Sequence, residues 1–186
     1  MFKWLLHRFT RRFEQQWNYD ASYLHEMIDI DPKAARLFQK ATALGAYRHD
    51  VPPEVYAAAG ITAVKHEDCG PCTQLGVSMA EKSGVDPRVL RAVLTGDVSQ
   101  MPTDVALAFK FTKATIEHDP EADTYRREIE RRWGSRAVLS LAFAILTARL
   151  YPTIKYASGH GQTCSRIVVG GSPVVFSDYT AAATHG

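Results

Sequence analysis

The chain has 186 residues, 46% of them apolar and 23% charged, and a formal net charge of +2. That length suits one domain with a buried core, and so even a charge balance gives no field for a nucleic acid or an acidic substrate. Three cysteines, an odd number, exclude the disulfide framework that holds small secreted proteins together.

Apolar residues recur at three- and four-residue spacing almost throughout, so the chain reads as helix after helix. The first predicted helix spans Phe2–Trp17. Leu5, Phe9, Phe13 and Trp17 share one face, Phe2 and Leu6 lie beside them, and Lys3, Arg8, Arg11 and Arg12 fill the rest. Membrane contact through residues 2–17 and docking on the domain itself or a partner subunit give the same pattern; docking is the expectation. Asp31-Pro32 opens a helix through Ala34, Ala35, Leu37 and Phe38, with proline at its first turn. Pro52-Pro53-Glu54 starts an alanine-rich apolar helix through Val55, Ile61 and Val64.

Gly70-Pro71 breaks the chain, and residues 73–82 resume at helical period until Ser83-Gly84. Asp86-Pro87 begins a short helix, and Gly96-Asp97 is a turn. Met101-Pro102 opens a helix with Val105, Phe109, Thr112 and Ile116 on one face, which Asp119-Pro120 stops. Residues 121–133 are highly charged and predict a solvated surface helix. Ser135 is the expected N-cap of the next helix. Residues 138–150 are apolar on nearly all sides and predict a central helix, which Tyr151-Pro152 ends or kinks. The run 166–176 is a short hairpin or an irregular tail.

No secretory apolar region is recognised near the start, where the only uncharged apolar run is residues 4–6. The stretch 138–150 is interrupted by Ser140, Thr147 and Arg149 and falls short of the ~20 residues of a membrane span. A reducing, cytoplasmic location is expected.

The chemistry gathers at His66-Glu67-Asp68-Cys69-Gly70-Pro71-Cys72. Two cysteines at this spacing reach one disulfide or one metal. At a helix start they face unpaired backbone N–H groups, a field that favours the nucleophilic thiolate. One sulfur attacks an oxidant and the other resolves it as a disulfide. The candidate catalytic residues are Cys72 and Cys69, with His66 or Glu67 as proton acceptor; capping or plain exposure is the alternative role of Glu67 and Asp68. Zinc would need two further donors, from His66, His160 and Cys164. The tetrapeptide Cys-Gly-Pro-Cys also matches that of thioredoxins, but the strand and tryptophan that precede it there are missing. Cys164 is expected to be buried, and His118 and His185 to face solvent. Tyr151, Lys155 and Tyr156 line a pocket at the helix break or belong to the core.

The order of these features resembles the AhpD-like, or carboxymuconolactone decarboxylase-like, superfamily. The likeness covers roughly residues 46–161: a helix leading into Asp68-Cys69-Gly70-Pro71-Cys72, its continuation to Glu81, Gly84-Val85, a short helix, a longer one, and the apolar helix 139–150. It implies an all-α bundle of about seven to nine helices in a single domain, with residues 1–45 as an N-terminal helical extension, 46–161 as the core and 162–186 as a tail. It implies an alkylhydroperoxidase-type antioxidant oxidoreductase, without cofactor or metal, in which Cys72 attacks and Cys69 resolves. The implied partners are a peroxide or disulfide substrate, a dithiol electron-donor protein, and further copies of the chain in a trimer or hexamer. No nucleic acid is expected.

Two positions depart from the family's pattern. Its redox members carry a histidine where this chain has Gly76, and a glutamate where it has Ala57. The proton relay is therefore lost or rebuilt from His66 and Glu67, with Gln74 the nearest other polar neighbour. Two further readings stand beside the enzyme: a non-catalytic AhpD-like helical interaction protein, and a zinc-stabilised binding domain.

Overall fold

Prolines and aspartates set the helix starts. The computed structural model describes residues 2–162 and 166–174, and within them nine α-helices form. The first three are α1 (Phe2–Trp17), α2 (Ser22–Ile30) and α3 (Pro32–Thr42); a 3-10 turn, Ala43–Ala46, follows. Next come α4 (Pro53–His66), α5 (Gly70–Lys82) and α6 (Pro87–Thr95), then a second 3-10 turn at Val98–Gln100. The bundle is completed by α7 (Thr103–Glu117), α8 (Glu121–Trp133) and α9 (Ser135–Ala157). Proline occupies the first turn of α3, α4, α5 and α6, where its missing N–H has no helical partner to lose. Asp31 and Asp86 cap α3 and α6 by accepting from the backbone N–H of Lys33 and Arg88.

The all-α architecture agrees with the sequence. α4 is the axis: Val55, Ala58, Ala59, Ile61, Ala63 and Val64 are all buried, against α5, α6, α7 and α9. Small side chains let these helices approach closely, and Leu90, Leu94, Val105, Ile129 and Leu141 fill the space between them. α8 buries only Ile129 of its thirteen residues and covers its outer face with ion pairs.

Four local outcomes differ from the sequence reading or decide between its alternatives. α2 has no counterpart in the predicted set; it starts without a side-chain cap, so no signal marks it. Gly134, not Ser135, is the N-cap of α9, and the Ser135 hydroxyl donates to Glu130 instead. α9 runs through buried Pro152 to Ala157: a proline removes one backbone hydrogen bond, and this helix continues past the loss. Residues 167–169 and 172–174 pair as antiparallel strands β1 (Ile167–Val169) and β2 (Ser172–Val174). Gly170 and Gly171 make the two-residue turn, both at positive φ as such a turn requires.

α1 docks within the chain on α2 and the loop before it, through Phe13 and Trp17 against Tyr19, Ala21 and Tyr23, while Trp4, Leu5 and Phe9 stay exposed. Its apolar face is therefore split between a docked half and an open one. α9 is the one described helix long and apolar enough to cross a membrane, by length and composition only. Its interrupting hydroxyls do not break it: Ser140 donates to Arg136 O and Thr147 to Phe143 O, within the helix. Packing against α4 and α8 makes it a central helix with an outer stripe of Leu139, Ala142 and Leu146.

Candidate active site

Cys69 and Cys72 are joined as a disulfide, with their Cα atoms 5.3 Å apart. Local sequence explains the placement. Glu67 ends α4, and Asp68 takes a left-handed φ of 50°, a conformation aspartate tolerates better than most residues. That turn sends the chain directly into α5, with Cys69 as its N-cap and Cys72 in its first turn. The Thr73 hydroxyl and N–H both donate to Cys69 O at 2.9 Å. Gly70 N–H donates to Gln162 O, which ties the helix start to the chain beyond α9.

The two sulfurs have different surroundings. Cys69 is wholly buried, against Val64, Ala148 and Tyr151. Cys72, 6% exposed, forms part of the wall of a cavity of about 540 Å³ between α4, α5 and α9. Ala57, Gly60, Gly76, Ala144 and Ala148 line it, and their small size is what leaves the space. Tyr19, Tyr151 and Phe13 line the end near Cys72; Arg48, Pro53 and Ser83 line exposed parts of the wall.

A polar group from the loop between α1 and α2 reaches the disulfide. The Tyr19 hydroxyl lies 3.8 Å from Cys72 Sγ and 3.5 Å from the Tyr23 hydroxyl. Burial pushes the Tyr19 phenol up to about 12, partly offset by its bond to Tyr23, and burial raises Tyr23 as well. Both therefore stay protonated at neutral pH, as donors. Lys155 of α9 is buried behind them, its Nζ 5.1 Å from the Tyr19 ring centre and 5.4 Å from that of Tyr23. Burial lowers the Lys155 pKa, and the Asp20 charge opposes that shift. Its ammonium on the two ring faces is a cation–π arrangement.

The other sequence candidates sit elsewhere. His66 is exposed in the last turn of α4. Glu67 is engaged by the Arg149 guanidinium. Neither lines the cavity. Gln74 turns the opposite way: its amide donates to Val168 O at 3.0 Å and accepts from Val168 N–H at 2.7 Å, fastening β1 to α5. Ala57 and Gly76, the two departures from the resembled pattern, both line the cavity. His160 is bound by Ser22 and Glu26. His118 is exposed; Cys164 and His185 lie outside the described residues.

Tyr151 lines the cavity, Lys155 lies in the wall behind it, and Tyr156 is exposed, donating to Asp68 O at 2.7 Å. Tyr19 and Tyr23 escaped the sequence reading, because nothing in their spacing ties residue 19 to residue 72. Two phenols four residues apart beside an apolar helix were the only signal. Among the described residues, no group of three or more His, Cys, Asp and Glu comes together as metal ligands. No protein-family model, curated protein or solved structure matches the chain.

Proposed function

We propose that this chain is a thiol–disulfide oxidoreductase of the AhpD-like, alkylhydroperoxidase type, working in a reducing cytoplasm. One observation carries the reading: a disulfide between the N-cap and first turn of α5, of which only Cys72 borders a cavity. In the reduced protein the α5 N-terminus and the Tyr19 hydroxyl favour a Cys72 thiolate. The thiolate attacks the terminal oxygen of a hydroperoxide, the O–O bond breaks, and the leaving alkoxide takes a proton to give an alcohol. Cys72 is then a sulfenic acid. The Cys69 thiol attacks that sulfur, and hydroxide leaves with the thiol proton as water.

A dithiol protein closes the cycle. Its thiolate attacks the disulfide at Cys72, the sulfur nearer solvent, and Cys69 departs as a thiolate that takes up a proton. The donor's second thiol then displaces Cys72 and leaves as a disulfide. In this scheme Tyr19, backed by Tyr23 and Lys155, stands beside the pair where the sequence put His66 and Glu67, but as a protonated hydrogen-bond donor to the Cys72 thiolate and not as a proton acceptor. A trimer or hexamer of the chain belongs to the same proposal, and sedimentation decides it.

A second reading has its own support, since Cys69 is fully buried and neither His66 nor Glu67 reaches the cavity. It is a helical interaction protein that keeps the bundle and no turnover. Thiol titration separates the two. After reduction, tert-butyl hydroperoxide should remove two titratable thiols from the wild type. Peroxide consumption driven by dithiothreitol should vanish in Cys72→Ser and survive in Cys164→Ser. Should every thiol remain titratable after peroxide, the enzyme reading falls.

A further inference from the structure

Two helix-interior glycines border the cavity with no steric reason to be glycine. Gly60 lies within α4 and Gly76 within α5, and both line the space beside Cys72. A Cβ added at Gly60 meets nothing within 4 Å; at Gly76 it meets Ile61 Cγ1 at 3.7 Å and Val64 Cγ1 at 3.9 Å, ordinary contacts. Neither takes a left-handed φ. Glycine inside a helix destabilises it relative to alanine. Here the two glycines provide open volume and nothing else.

Volume alone names no ligand, but the single charge on the lining does. Arg48 is exposed on the cavity wall, and among the described residues every other one on the lining is uncharged. Its Nε donates to Gly45 O at 3.2 Å, and its guanidinium carbon sits 4.5 Å from the centre of the Tyr56 ring. Those two contacts fix the plane of the group. The group also hydrogen-bonds the Tyr56 hydroxyl, and no ion pair joins it to a carboxylate among the described residues, so the positive charge of this exposed, fork-shaped group is left for a ligand carboxylate.

From that rim the lining turns aliphatic, through Ala57, Ile61 and Leu75, until it reaches Cys72. The cavity's volume of about 540 Å³ falls within the ~300–1,000 Å³ of ordinary small-molecule sites. A second apolar cavity of about 280 Å³ adjoins it, with Phe13, Thr42 and Tyr151 lining both.

We infer that this cavity binds an aliphatic carboxylate, with its head on Arg48 and its chain over Gly60 and Gly76 toward Cys72. Binding stands on the cavity and Arg48. Naming the fatty-acid hydroperoxide as the reacting form rests on the redox reading above, with the peroxide group of the chain brought to Cys72 Sγ.

Binding to the oxidised full-length chain tests the inference without turnover. The probes are octanoate, dodecanoate and hexadecanoate, with dodecanol and dodecyltrimethylammonium as head-group controls, read by calorimetry below their micelle concentrations. Affinity should rise about fourfold per methylene between octanoate and dodecanoate. Dodecanoate should exceed both controls by tenfold or more. Arg48→Gln should bring dodecanoate down to the level of dodecanol, and Gly60→Leu should abolish binding of both. Gly60→Ala, whose methyl enters open space, guards against a folding defect and should weaken hexadecanoate severalfold.

The inference is overturned by no saturable binding, by equal affinity for the alcohol or the ammonium, or by binding indifferent to Arg48→Gln and Gly60→Leu. If dodecanoate binds as expected but peroxide leaves every thiol titratable, the redox reading fails and the binding site stands. If peroxide consumes the thiol pair but no fatty acid binds, the reverse holds.

Discussion

The core around α4, α7 and α9 and the space bounded by the α1–α2 loop, α5 and the end of α9 are built from opposite materials. The first is aliphatic and filled: Val55, Val105, Leu141 and Ile129 show essentially no exposed surface. The second, a few residues further along the same helices, holds a disulfide, two buried phenols, a buried lysine and an unfilled cavity. Close packing maximises stability, whereas burying phenols and an ammonium works against it. Close packing and buried polar groups are thus allotted to different lengths of the same helices, and substitutions in each region should fail in different ways.

The largest effect belongs to the filled region. Leu141→Ala removes a wholly buried side chain and should cost about 2–5 kcal/mol, measured by urea unfolding. Leu75→Ala, half-buried beside the cavity, should cost clearly less, because much of its surroundings is already empty. Equal losses would erase the contrast.

Alkaline unfolding is the next lever. Tyr19 ionises near 12 in the fold and at 10.0 in its ordinary state, and burial raises Tyr23, Tyr151 and Tyr56 too. A raised folded-state pKa means the fold keeps protons that the unfolded chain gives up. The phenols' stability is therefore fully present below pH 10 and lost as pH climbs from about 10 through about 12. For Tyr19 alone the loss is roughly 2–3 kcal/mol. Lys155 has the opposite sign, since burial lowers its pKa: the unfolded chain holds that proton longer, so its term rises with pH below the ordinary value of 10.5. Four phenols outweigh one lysine. Tyr19→Phe should flatten the alkaline limb, while Leu141→Ala should lower the whole curve and keep its shape. Parallel curves for Tyr19→Phe and wild type would remove the phenols from this account.

A smaller gain tests the open space. Gly60→Ala should stabilise the chain by about 0.5–1 kcal/mol in thermal unfolding, since its methyl meets no neighbour. A loss of stability would mean that the glycine serves packing.

Much of the helical frame was legible because local rules wrote it. Aspartate–proline pairs marked the starts of α3 and α6, proline marked α4, and Gly96 in its left-handed conformation marked the end of α6. The Cys-x-x-Cys spacing found the disulfide at the head of α5. What escaped depends on contacts between segments distant in sequence. Tyr19 stands 53 residues from Cys72, and only the docking of α1 and α2 on α5 and α9 joins them. His66 and Glu67 looked like proton acceptors because they adjoin the pair in sequence, but a helix end and a left-handed Asp68 separate neighbours in sequence from neighbours in space. Pro152 read as a stop or a kink because the rule is local, while the packing that carries α9 onward is not.

The smallest effect lies on α8, the solvated counterpart of both regions. Arg131 and Arg132 donate to Glu128 and hold its carboxyl at about 2, against 4.5 in its ordinary state. A depressed pKa carries the opposite sign to the phenols: its stability is present above the unfolded value and lost as pH falls from about 4.5 through about 2. Because these charges lie at the surface, water and salt screen them. Glu128→Gln should therefore soften only the acid limb of a melting-temperature profile, leave the alkaline limb unchanged, and lose even that difference in molar salt. The Tyr19→Phe difference should survive the same salt, because its cause is burial. If salt removed both differences alike, Tyr19 would be an ordinary surface phenol, and the contrast between a solvated face and a buried polar site would not stand.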